Sequence, residues 1–136
     1  MIAFLQLSRP GKLGVRKIPP RDKLRQALAP APDSVVDSLR RNFSENGEMR
    51  KFHIDCLMTY ACVFALTLDN FEMDSLELRE DLRLEQKQID SYFHEVGART
   101  KAVAEKIDGK SINRYKAKLA IPLKFPVQRF IRPKTR

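Results

Sequence analysis

Apolar residues recur at helical spacing through most of the chain and switch to alternation near its end. From Asp33 to Phe43, Val36, Leu39 and Phe43 fall on one face and Asp33 or Ser34 can cap the first turn, which predicts a helix. Glu48 to Leu68 reads as a longer helix with a stripe of Ile54, Leu57, Met58, Ala61, Ala65 and Leu68. Phe71-Glu72-Met73 alternates and reads as a short strand. "DSLELREDL" follows, with Asp74 as cap, Glu77 three positions on, and Leu78 and Leu82 facing inward. A further helix runs from Glu85 to Val96 on Ile89, Phe93 and Val96, and Gly97 stops it as a left-handed C-cap would.

After Gly97 the period changes. "ARTKAVA" can be a strand, "EKIDGKSINRY" reads as a polar loop, and Ala117, Leu119, Ile121, Leu123 and Phe125 alternate with outward-facing partners. Pro122 places the end of that second strand at a sheet edge. Two strands joined by a polar loop make a hairpin. The order helix, short strand, helix, turn, helix, hairpin predicts an α+β fold of the winged-helix kind, a helix-turn-helix carrying a β-hairpin wing. In that arrangement the apolar side chains of the returning strand close the core against the first and third helices.

Residues 1 to 32 break this regularity. Five prolines and the glycines of "GKLG" interrupt them, leaving room for a short helix in "RDKLRQALA". They read as a basic, flexible arm, and residues 127 to 136 as a basic tail.

Charge sharpens the picture. The chain of 136 residues has a net charge of +9, unevenly placed. Residues 1 to 26 hold seven bases and one acid and residues 98 to 136 twelve and two, whereas residues 70 to 97 hold three bases and eight acids. A polyanion would therefore meet the ends of the chain, nucleic acid being the first candidate. No apolar run is expected to cross a membrane, and "MIAFLQLSRPGKLG" places apolar before basic residues, the reverse of a secretory signal.

Catalytic chemistry has no foothold in the pattern. Cys56 and Cys62 lie six apart on a helix and read as reduced thiols, while His53 and His94 are isolated from any metal-like spacing. The carboxylates from Glu72 to Asp90 follow helix-face spacing and read as a solvated surface. The expectation is no enzyme, no cofactor, no metal and no small-molecule substrate.

The hairpin is the informative element, because folding it gathers bases that are scattered in sequence. Expected duplex contacts are Arg99, Lys101, Lys106, Lys110, Arg114, Lys116 and Lys118 on the hairpin, Lys87 on the third helix, and Arg129 and Arg132 in the tail. The third helix also exposes Glu85, Asp90 and Glu95, which phosphates would repel. Gln86 and Gln88 could touch bases, but the balance favours weakly sequence-selective contact through wing and tail. The alternative is a protein-docking adaptor that uses the acidic helices without touching DNA.

"FALTLDNFEMDSLELREDLRLEQKQIDSYFHEVGARTK" followed by "YKAKLAIPLKFP" resembles the C-terminal region of the RNA polymerase I 49-kDa subunit family, also known as polymerase-associated factor of 53 kDa. "VVDSLRRNFSENGEMRKF" is similar to the linker helix leading into that region. The resemblance covers residues 33 to 126 and rests on the order and spacing of these motifs. It implies a linker helix over 33–46 and the second of the family's two winged helices over 47–126, a fragment without the first winged helix or the dimerisation module. It further implies a non-catalytic accessory subunit of DNA-directed RNA polymerase. The implied partners are double-stranded DNA and polymerase I core subunits, and the implied setting is ribosomal RNA synthesis in the nucleus and nucleolus.

Overall fold

The computed structural model describes residues 1–127. Among them, six α-helices and two three-stranded antiparallel sheets make an α+β fold. The chain begins with α1 (Ile2–Leu7), β1 (Arg9–Pro10), a 3-10 turn (Lys12–Gly14), β2 (Arg16–Lys17) and α2 (Arg21–Ala27). It continues through α3 (Asp33–Phe43), β3 (Glu48–Met49), α4 (Lys51–Leu68), β4 (Glu72–Asp74), α5 (Ser75–Leu82), α6 (Gln86–Val96), β5 (Arg99–Ile107) and β6 (Lys110–Lys118). The first sheet has the order β1-β2-β3 and the second β4-β6-β5.

Helix α4 is apolar around most of its circumference. Leu57, Met58, Ala61, Cys62 and Leu66 enter the core, while Phe52, Tyr60, Phe64 and Leu68 remain exposed. It starts at Lys51 rather than at the expected Glu48, because Glu48 and Met49 pair with β2. The backbone N–H of Arg50 donates to His53 Nδ1 at 3.2 Å, closing the first turn. With a mean hydropathy of 1.3 over 18 residues, α4 also has the length and apolarity of a membrane span, contrary to the expectation from sequence. Packing of its inner face accounts for part of that apolarity, 28% of the span being buried in this fold.

The next two helices obey the capping pattern. Asp74 Oδ1 accepts from the Leu76 N–H at 3.0 Å, and Arg83 closes α5 in the left-handed region. Glu85 and Gln88 cap α6 reciprocally, and Gly97 at φ 91° ends it. Ile89 and Phe93 are fully buried, as are Leu57 and Cys62 opposite them to within 2% exposure.

Residues 1 to 32 are not an arm. Phe4, Leu5, Ile18 and Leu24 belong to the same buried cluster as α4 and α6, and Phe4 and Leu24 have no exposure at all. The prolines border short elements instead of preventing them: Pro20 sits at the N-cap of α2 and Pro32 at that of α3, where a missing N–H costs nothing. Arg16 then ties the segment down, donating to Ser8 Oγ at 2.6 Å and to the Ser8 carbonyl at 2.9 Å.

The hairpin is present with a different register from the one expected. Its return strand is Lys110–Lys118, not Ala117–Phe125, and the supposed polar loop is mostly strand. Asp108 and Gly109 both take positive φ, 50° and 76°, so a two-residue turn suffices. Asp-Gly is the residue pair such turns prefer, because their backbone twist matches that of the strands. Beyond Thr100 and Ala117 the ribbon leaves the core, with Val103, Ile107 and Ile112 exposed, so burial imposes no alternation on it. Among the described residues past Lys118, only Leu119 packs against the core, its N–H donating to the Phe71 carbonyl at 2.8 Å. Ile121 is 95% exposed and Leu123 and Phe125 are also exposed, so the alternating apolar residues there do not close the core.

Candidate nucleic-acid interface

Register decides which side chains share a face of the hairpin. Directly opposed residues of an antiparallel pair point the same way. Ala117, Thr100 and Met73 form one row, and Ala117 and Met73 face the core. The neighbouring rows therefore face away from it: Glu72, Lys118 and Arg99 in one, Asp74, Lys116 and Lys101 in the next. Further along the same face come Val103 with Arg114, Glu105 with Ile112, and Ile107 with Lys110. Six cations thus meet three carboxylates on this outer face.

The carboxylates are committed. Arg114 bonds Glu105 through Nε at 2.9 Å and approaches Asp74 at 3.6 Å, and Lys118 pairs with Glu72 at 3.0 Å. The hydrogen bond from Lys118, together with its charge, lowers the Glu72 carboxyl below the usual range. Among the described residues Arg99, Lys101, Lys110 and Lys116 have no ion-pair partner. Lys101 lies directly across from Lys116 and Arg99 across from Lys118. Like charges so placed repel, and an anion laid across them removes the penalty.

Other expected contacts fall elsewhere. Lys106 is opposite Ser111 on the reverse face of the ribbon. Lys87 lines an open groove of about 690 Å³ between α4 and α6, away from the hairpin. Arg129 and Arg132 lie outside the described residues. The two glutamines are occupied within the fold: Gln86 Nε2 donates to Ser75 Oγ at 3.2 Å and to Asp90 at 2.9 Å, and Gln88 accepts from the Glu85 N–H at 2.9 Å. Ser75, fully buried, donates onward to the Tyr115 carbonyl at 3.0 Å. This series of bonds joins α5 and α6 to β6.

The interior holds no polar constellation suited to catalysis among the described residues. Burial pushes the Cys62 thiol up to about 12, which keeps it protonated and inert. In the α4–α6 groove Tyr92 donates to Asp55 at 2.7 Å, and burial followed by that bond raises the phenol. Asp55 is also held by Lys51 at 2.7 Å. No group of three or more histidine, cysteine or acidic residues able to hold a metal ion occurs among the described residues.

Sequence reading overlooked two residues beside the hairpin, His94 and Lys124. They line a notch of about 390 Å³ with Ala98, Arg99, Phe125 and Pro126. The signal available is "PLKFP", in which the alternation predicts a strand end with Lys124 facing outward.

Comparison with known proteins agrees with the motif resemblance and extends it. A family model described as A49-like RNA polymerase I associated factor matches residues 1–126, so the first 32 residues fall within the match rather than outside it. The chain is 30% identical over 128 residues, 84% of its length, to "DNA-directed RNA polymerase I subunit rpa49" of Schizosaccharomyces pombe. It spans about 30% of the length of that relative. No solved structure matches.

Proposed function

The chain belongs to the A49-like RNA polymerase I associated factor family, and from that premise we propose that it is a non-catalytic DNA-contact module serving transcription of ribosomal RNA genes. In this reading residues 51–118 make a winged helix, with α5 and α6 as the helix-turn-helix and β5–β6 as the wing. Double-stranded DNA and polymerase I core subunits are its partners, and the nucleus and nucleolus its setting. The contact is to the phosphate backbone and weakly selective for sequence, since Gln86 and Gln88 are spent on internal bonds and α6 carries Glu85, Asp90 and Glu95.

One observation carries the reading: the outer face of the hairpin opposes cations to cations at Arg99–Lys118 and Lys101–Lys116. Anisotropy titration of a labelled random duplex at rising salt tests it. Engagement of Arg99, Lys101, Lys110 and Lys116 gives a log–log slope of roughly −3 to −4, at about −0.9 per phosphate contact. An affinity indifferent to salt contradicts the reading.

A second reading, a docking adaptor in the transcription complex, draws on the exposed Phe52, Tyr60, Phe64 and Leu68 of α4. The acidic face of α5 adds Glu80 and Asp81 to it. Polymerase capture that survives nuclease and is lost on reversing Glu80 and Asp81 favours this reading.

A further inference from the structure

We infer that the notch at the foot of the hairpin, lined by His94, Arg99 and Lys124, is a phosphate site, and that Phe125 seated on Gly97 holds Lys124 in it. The identity of the phosphate as part of a nucleic-acid backbone rests on the duplex reading above; the site itself does not.

The notch is built by a close approach. After Leu119 the chain leaves the sheet and crosses back to the C-terminus of α6, where the Phe125 ring lies against Gly97. A Cβ on Gly97 would stand 3.0 Å from the edge of that ring, so a larger residue would push the ring outward by a few tenths of an ångström. The same glycine is at φ 91°, a conformation side chains resist. Lys124, adjacent to Phe125, is thereby delivered to the notch that Arg99 and His94 already line. Contact with the ring explains why a phenylalanine more than half exposed occurs here.

The chemistry of the notch suits a tetrahedral oxyanion. Arg99 presents a planar fork of donors and Lys124 a point charge, and neither has an ion-pair partner among the described residues. His94 contributes a ring whose Nε2 is 3.3 Å from Thr100 Oγ1, leaving Nδ1 toward other partners. No carboxylate lines the notch. The Gly97 and Ala98 N–H groups donate to the His94 and Phe93 carbonyls, taking up two of the last four carbonyls of α6. The full charges of Arg99 and Lys124 outweigh the roughly half-charge of the helix end. Arg99 also belongs to the outer face of the ribbon, so a backbone tracking Lys116 and Lys101 reaches the notch as its next contact.

The test compares the whole chain with Lys124→Ala, Phe125→Ala, Phe125→Tyr and the Lys124→Ala/Phe125→Ala double variant, with circular dichroism reporting that each retains the fold. Lys124→Ala flattens the salt dependence of duplex binding by about 0.9 in slope. Phe125→Ala does the same although it changes no charge, the double variant does no more than either single one, and Phe125→Tyr restores the slope. In parallel, inorganic phosphate is titrated against chloride at equal ionic strength while the Gly97 amide and His94 ring are followed by NMR. Saturable shifts in the unaltered chain that vanish in Lys124→Ala are expected. Duplex binding with equal slopes in all variants and no phosphate shift overturns the notch and leaves the duplex reading intact. Phosphate shifts without duplex binding overturn the duplex reading and identify a free-phosphate site. An unaltered slope in Phe125→Ala beside a flattened one in Lys124→Ala overturns the positioning role of the ring.

Discussion

The two ends of this chain are alike in composition and different in arrangement. Residues 1 to 26 hold seven bases and the hairpin from Arg99 to Lys118 holds seven as well. In the N-terminal segment three of the four arginines are internal fasteners: Arg16 holds Ser8, Arg21 binds Asp37, and Arg25 reaches Asp33 and Asp37 at 3.2 and 3.0 Å, while Arg9, Lys12, Lys17 and Lys23 have no ion-pair partner among the described residues. On the hairpin five of the seven lack ion-pair partners among the described residues, and two cross-strand rows set cation against cation, against the single row Arg9–Lys17 in the N-terminal segment. A count of bases predicts a polyanion at both ends, and a count of ion pairs does not separate them. Arrangement does: a guanidinium already bonded to a carboxylate gains little by exchanging it for a phosphate, whereas the hairpin gathers six cations on one face of a ribbon.

The comparison breaks most readily at the N-terminal segment. Phe4 is fully buried, so Phe4→Ala costs about 3–5 kcal/mol and lowers the melting temperature by roughly ten degrees or more. Calorimetry showing no change would mean that this end is an arm after all. The next effect lies on the hairpin. Lys116→Glu places opposite charges across from each other at Lys101 but sets two carboxylates across from each other at Asp74, so the stability of the ribbon changes by less than about 1 kcal/mol. The same change weakens duplex binding and flattens its salt slope by about 0.9, the loss of one phosphate contact. Losing stability and affinity together would point to a structural lysine instead.

The smallest effect sharpens the contrast through pH. The hydrogen bond from Arg21, assisted by Arg25, lowers the Asp37 carboxyl to about 2. A carboxyl with a depressed folded value contributes stability that is complete above its unfolded value of about 3.9 and disappears as pH falls through 2. Asp37→Asn should therefore flatten the acid limb of the stability curve between roughly pH 4 and 2. It should leave the salt slope of duplex binding where it was. An unchanged acid limb would show that the α2–α3 fasteners do not hold in solution.

Local chemistry was enough to reveal the helices. The apolar spacing of α3 and α6, the Asp74 cap and the Gly97 stop are decided within a turn or two of the chain, and the structure follows them. Resemblance of motif order was enough to reveal the family, though only from residue 33 onward. The N-terminal segment was misread because prolines that break a long helix also start short ones, and the burial of Phe4 and Leu24 depends on residues far along the chain. Hairpin register was misread for a related reason. Alternation marks a strand only where one face is buried, and this ribbon projects beyond the core while the alternating residues after Lys118 do not pair.

Composition, helix positions and the basic character of the C-terminal third were thus fixed by the order of residues alone, since each depends on neighbours within a few positions. Which lysines are bonded, which face each other and where Lys124 comes to rest were settled only when strands paired and the chain turned back on Gly97, because charge acts through distance in space and not along the sequence.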